Sequence, residues 1–139
     1  MAPTIEALDT TLQKTNIWLN DLTEQGGFSD QSQAYSALRS VLHALRDRLT
    51  VDEAAHLAAQ MPMLIRGLFY EGWKPSTVPS KEHTRREFIA TVRMNLGGTN
   101  IDPEQATQAV FQLLEDNISP GELRDMQQML PPEIRALWP

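Results

Sequence analysis

Apolar residues recur at steps of three and four along nearly the whole chain, and alternating apolar runs joined by Asn-Gly or Asp-Gly turns are missing. That periodicity predicts an all-α protein. A first helix is expected from near Pro3 to Gly26-Gly27, with Ile5, Leu8, Leu12, Leu19 and Leu22 as its apolar stripe and a left-handed glycine as its end. Ser29 or Asp30 then caps a second helix. Its inner face is read as Ala34, Ala37, Leu38, Val41, Leu42 and Leu45, and Arg39, Arg46, Asp47 and Arg48 are expected to face water. Thr50-Val51-Asp52-Glu53 reads as a capping box, the Thr50 hydroxyl taking the Glu53 N–H and the Glu53 carboxylate reaching back to the Thr50 N–H. Because Pro62 has no N–H, a short third helix ends near Gln60 and a short fourth runs from Pro62 to about Tyr70.

Segment 71–83, with a glycine and two prolines among polar residues, reads as a linker. The pattern then restarts. Phe88, Val92 and Leu96 lead to Gly97-Gly98, with Phe88 in the place of Trp18, and Asp102-Pro103-Glu104-Gln105 opens a sixth helix over about 103–117. Ser119-Pro120-Gly121-Glu122 repeats the capping box, and Pro131-Pro132 repeats the break at Pro62. A shift of 69 positions lays Ala37, Val41, Leu45, Asp47, Glu53, Pro62, Ile65, Arg66 and Leu68 on identical residues at 106, 110, 114, 116, 122, 131, 134, 135 and 137. The expectation is a duplication: eight helices in two four-helix units, residues 3–70 and 84–139, each long, long, short, short. The units are expected to be related by an approximate two-fold and packed as one domain over 1–139.

Cysteine is absent, which excludes disulfides, thiolate metal sites and cysteine nucleophiles. A net charge of -6 opposes binding to phosphate backbones and anionic lipid, so neither nucleic acid nor membrane is expected as a partner. The opening Met-Ala-Pro-Thr-Ile-Glu has neither a basic region nor an apolar run, and a cytoplasmic protein is expected.

Ala34-Tyr35-Ser36-Ala37-Leu38-Arg39, the run Leu42-His43-Ala44-Leu45-Arg46-Asp47-Arg48-Leu49, Glu53-Ala54-Ala55-His56-Leu57, Pro62, Tyr70-Glu71-Gly72-Trp73 and Leu130-Pro131 together carry a resemblance. Over essentially its full length the chain resembles the bacterial domain of unknown function 2267 family. The resemblance implies an all-α fold and a bacterial protein. It carries no catalytic or binding residue onto this sequence.

The candidate chemistry is sparse. Glu53-Ala54-Ala55-His56 has the spacing by which a Glu and a His on one helix grip a metal, but such a site needs a second copy, and the position matching His56 is Asp125. Ile118 to Leu123 looks like the exit of a calcium loop, yet the first loop position would be Phe111 and the glycine position Asp116. His43 and His56 fall on the polar sides of their helices and His83 in the linker, so all three read as solvated rather than catalytic. The Val51–Gln60 helix holds Asp52 and Glu53 and no Lys or Arg, which argues against a DNA-reading helix. Met61, Met63, Met94, Met126 and Met129 read as core filler.

Arg66 and Arg135 stand at matched positions, either closing short helices or together holding an anion at the junction of the units. Tyr70 and Trp73 either staple the linker to the core or anchor a partner. With no nucleophile, cofactor loop or metal cage in view, neither a metal nor a cofactor is expected. The leading expectation is a non-enzymatic helical interaction or adaptor module whose partner is a protein, itself included, as a possible homo-oligomer. The alternative is a small-molecule or anion binder, or an enzyme, working at the junction through Arg66 and Arg135.

Overall fold

A computed structural model describes residues 5–139. Pro3, the expected start of the first helix, lies outside the described residues. Eight helices and no strand occur among the described residues: α1 Glu6–Gly26, α2 Gln31–Arg46, α3 Val51–Ala59, α4 Met63–Tyr70, α5 Arg85–Leu96, α6 Pro103–Asn117, α7 Pro120–Gln128 and α8 Pro132–Arg135. The all-α expectation holds, and so does the alternation of long and short elements. One turn of 3-10 helix, Pro75–Thr77, lies between α4 and α5, where the sequence pattern showed only linker.

The four long helices make the body of the molecule. α2 packs on α1, α5 and α6, α1 also meets α6, and α5 meets α6. The short helices close it: α4 lies across α1 and α2, α8 rests on α5, and α3 and α7 meet each other. One continuous core runs through Leu22, Leu38, Leu42, Phe69, Phe88, Phe111 and Leu114.

Local chemistry accounts for the boundaries. Gly27 ends α1 at φ 71°, where a side chain would be strained. Gly26 is held by space instead, since a Cβ there would run into the Phe28 ring. Asp30, not Ser29, caps α2 by accepting from the Gln33 N–H. Thr50 caps α3 by accepting from the Glu53 N–H at 3.2 Å, but the return arm of the expected box is not made. The complete box lies at Thr84 and Glu87, at the head of α5. Ser119 does not cap α7: its hydroxyl and its N–H are both taken by the Gln60 side chain, at 3.2 and 2.8 Å, because α3 packs against this helix start.

The largest departure from the sequence reading concerns α2. Contacts on several sides bury it almost all round from Ser40 to Arg46, so the polar side that periodicity assigns to water lies inside. His43, Arg46 and Arg48 are buried there, where solvated side chains were expected. Most of their polar atoms are used, Arg48 Nε being buried without a partner. His43 Nε2 donates to the Leu68 carbonyl at 2.7 Å, and Arg46 Nη1 donates to the carbonyls of Phe69 at 2.9 Å and Glu71 at 2.6 Å. These are carbonyls at the C-terminus of α4; that of Leu68 also takes the Glu71 N–H at the cap, whereas those of Phe69 and Glu71 lie beyond what the helix can satisfy from within, and a cation there also suits the helix dipole. Arg39 adds an ion pair to the Glu71 carboxylate at 2.8 Å.

The end of α2 then holds the far side of the linker. The Asp47 carbonyl accepts from the Ser80 N–H at 2.7 Å. Arg48 donates to the Ala44 carbonyl, the Glu82 carboxylate and the Thr91 hydroxyl, and lies over the Phe88 ring. The Arg48 side chain is 2% exposed and that of Glu82 45%. Removing the carboxylate therefore strands a buried cation, whereas removing the cation leaves a carboxylate that water reaches. Glu82→Ala is expected to cost about 3 kcal/mol, and Arg48→Met about 2 kcal/mol less than that. Urea unfolding of the two variants gives the order.

His43 supplies a pH dependence. Burial, followed by the charges of Arg46 and Arg39, holds its imidazole below the ordinary 6.5, against the opposing pull of the Leu68 carbonyl and Glu71. The unfolded chain thus binds a proton that the folded chain refuses. Stability from this site is complete above the unfolded value and is lost as the pH falls through it toward the folded one, with a slope up to about 1.4 kcal/mol per pH unit. Urea titrations between about pH 7.5 and about pH 5.5 should show this loss, and His43→Gln should remove its share of the slope.

Candidate functional site

Each residue singled out in the sequence has a definite place. Arg66 donates from Nε to the Ala58 carbonyl at 3.1 Å and from Nη2 to the carbonyls of Ala59 at 3.5 Å and Met61 at 3.2 Å. Arg135 donates from Nε to the Gln127 carbonyl at 3.2 Å and from Nη2 to that of Leu130 at 3.0 Å. Gln127 and Leu130 stand 69 positions after Ala58 and Met61, so the two arginines close corresponding turns with corresponding bonds. Each satisfies carbonyls at the end of the preceding helix. A cavity of about 480 Å³ is lined by Arg66 with Lys14, Trp18, Gln60, Pro62 and Asn117, and Arg135 is not among its lining residues.

Tyr70 and Trp73 lie half-buried against the core, their rings 5.2 Å apart, with Phe69 and Tyr70 edge to face at 5.5 Å. The Trp73 Nε1 is buried without a hydrogen-bond partner. Trp138 at the other end of the chain stacks on Phe111 at 4.0 Å. The methionines divide. Met61 and Met126 are core as expected, but Met63, Met94 and Met129 are exposed.

Two features emerge that periodicity could not place. The first is an apolar face. α1 buries Thr11, Trp18 and Leu22, so the first half of its expected stripe, Ile5, Leu8 and Leu12, stays exposed; Leu12 is 51% exposed. Next to Leu12, the Thr11 hydroxyl accepts from the Leu64 N–H at 3.1 Å, which brings the start of α4 alongside. Leu64 and Tyr35 are also nearly half exposed. They line a groove of about 450 Å³ together with Thr15, Leu38, Ile65 and Leu68.

The second is a cluster between α3 and α7. Ligand atoms of Glu53, His56 and Glu122 all lie within 4.8 Å of one another, with His56 Nδ1 3.9 Å from a Glu122 carboxylate oxygen. One Glu53 oxygen, Oε2, is buried and has no hydrogen-bond partner. Glu122 is the residue that the 69-position shift lays on Glu53. A search for a second Glu-x-x-His passes over it, because the third group comes from another helix and is a lone carboxylate.

The family of uncharacterized conserved proteins DUF2267 matches residues 15–137, and the chain belongs to it. No curated protein matches the chain. No helix among the described residues is long and apolar enough to cross a membrane.

For Trp73 the packing sets the expectation. The ring covers Tyr70 and the core where the chain leaves α4, so Trp73→Ala should destabilise by about 2 kcal/mol, less than deletion of a fully buried ring. A denaturant midpoint equal to wild type would remove Trp73 from the fold's support.

Proposed function

We propose that this protein is a non-enzymatic helical interaction module, and that its partner is a second copy of the same chain docked on the face shared by α1, α2 and α4. The observation that carries the reading is the groove of about 450 Å³ with exposed leucines beside it. Leu8 and Leu12 are exposed on α1 two turns and one turn before Thr15, which lines a recess with Tyr35, Leu64 and Leu68. A surface that carries both exposed leucines and a recess suits an isologous two-fold contact, in which each copy fills the other. Its rim is self-complementary in charge, because Arg39 and Glu71 stand there together, 41% and 54% exposed. Contiguous apolar surface of this kind is uncommon on a monomer without a binding role.

A net charge of -6 supports leaving nucleic acid and anionic membranes out of the partner list, and a cytoplasmic location belongs to the same reading. The duplication is part of it too. Equal bonds made by Arg66 and Arg135 at a constant shift support two four-helix units related by an approximate two-fold. The anion-binding alternative is the weaker reading, since both guanidinium groups are engaged by backbone carbonyls and the cavity beside Arg66 does not include Arg135.

Light scattering after size exclusion, run up to about 100 µM chain where a micromolar Kd saturates, should report a dimer. The double variant Leu12→Asp with Leu64→Asp should be monomeric with unchanged helicity, since both side chains already meet water. A wild-type monomer throughout that range would overturn the proposal.

A further inference from the structure

We propose that Glu53, His56 and Glu122 form a binding site for a divalent transition-metal cation of the zinc class, bridging α3 and α7. The site is distinct from the apolar face and does not depend on how that face is used.

The geometry comes first. Three ligand groups from two helices bring their oxygen and nitrogen atoms within 4.8 Å of one another. Around a cation bound at 2.0 to 2.2 Å, neighbouring ligand atoms lie about 3 to 3.5 Å apart. The His56 to Glu122 separation of 3.9 Å is close to that already. His56, whose side chain is 66% exposed, has room to adjust its rotamer toward both carboxylates.

A second observation points the same way. The carboxylate of Glu53 was expected to complete the cap of α3 by accepting from the Thr50 N–H. It does not do so, and its Oε2 sits buried with no hydrogen-bond partner. Glu53 as a whole is only partly buried, but this oxygen is cut off from water and has no donor, which is costly for a polar atom. No lysine or arginine forms an ion pair with Glu53 or Glu122 among the described residues; the imidazole of His56 is the basic group beside Glu122. Glu53 thus brings a carboxylate with one unpartnered oxygen to the place where His56 and Glu122 also meet.

The donor set selects the cation. One imidazole nitrogen with two carboxylates suits zinc, manganese, iron(II), cobalt or nickel, whereas calcium and magnesium prefer oxygen alone. Three protein ligands with an exposed histidine leave at least one coordination position to water, so the cation would exchange with solvent. Because Glu53 and His56 come from one half of the chain and Glu122 from the other, bound metal would cross-link the halves through their short helices.

The test uses the full chain stripped with EDTA and titrated with zinc, manganese and magnesium chlorides by calorimetry. Saturable 1:1 zinc binding is expected, with magnesium silent. Free zinc at about 100 times its Kd should raise Tm by roughly 8 °C, because a ligand that binds only the folded state stabilises it by mass action. His56→Ala removes a side chain that is 66% exposed and Glu122→Gln is nearly isosteric, so both variants should fold normally by circular dichroism. Each should weaken zinc binding by about 100-fold. Asp125→Asn, one turn along α7 and outside the cluster, should bind as wild type. Absence of saturable zinc binding would overturn the proposal, as would binding that survives both His56→Ala and Glu122→Gln.

Discussion

The short helix α4 has carbonyls at its C-terminus that it cannot satisfy from within, and the solution to that problem organises the first half of the molecule. His43 and Arg46, one turn apart on α2, donate to the carbonyls of Leu68, Phe69 and Glu71. A helix of eight residues has little stability of its own, so external partners for its end decide whether it exists. Those partners must be cationic or strong donors, must be rigid, and must come from a helix already fixed in the core. α2 meets all three conditions because it is surrounded, packing on α1, α4, α5 and α6. The polar groups that would weaken a buried helix are here spent on the termini of its neighbours.

The same helix then determines where the chain goes next. Beyond α4 the backbone turns at Gly72 with φ 72°, passes Trp73, and returns to α2, where Asp47 and Arg48 receive Ser80 and Glu82. The segment between α4 and α5 is therefore tied at both ends to one helix. Two of the runs that carry the family resemblance, Leu42 to Leu49 and Tyr70 to Trp73, thus meet in one contact, where Arg46 donates to the Glu71 carbonyl.

Much of the fold was legible because helix ends and apolar spacing are local properties. Gly27, Thr50, Pro62, Pro103 and the Pro131-Pro132 pair each act on the few residues around them, and each boundary fell where that chemistry put it. What was not legible depended on neighbours distant in sequence. Periodicity finds the apolar side of α2, but it cannot tell that α4, α5 and the linker cover the other side, so Arg46 and Arg48 read as surface. Ser119 has the right sequence for a cap, and Gln60 from α3 takes its hydroxyl instead. On α1 the error ran the opposite way: Leu8 and Leu12 have core spacing, yet α4, the short helix packed on α1, leaves their side open. The candidate sites share this origin, since the apolar groove and the carboxylate–imidazole cluster are each assembled from helices far apart in the chain.

Arg66 and Arg135 show why matched residues need not mark a binding site. Each follows an isoleucine in the core and turns its guanidinium back onto the carbonyls that end the helix before it. A short helix followed by a proline break leaves such carbonyls exposed each time it occurs, so a chain that uses the device twice needs the arginine twice. The same recurrence brings Glu53 and Glu122 to corresponding helix starts. There the outcome differs, because α3 and α7 pack on each other and the two carboxylates meet across the contact, with His56 on one side only. Gln60 and Ser119 supply a two-bond polar clasp at the other end of that contact. Like charges beside each other on packed helices repel unless something positive lies between them. Repetition in the sequence therefore has different consequences at the two pairs: the arginines close separate turns through backbone carbonyls, whereas the glutamates come together with His56 where α3 and α7 pack.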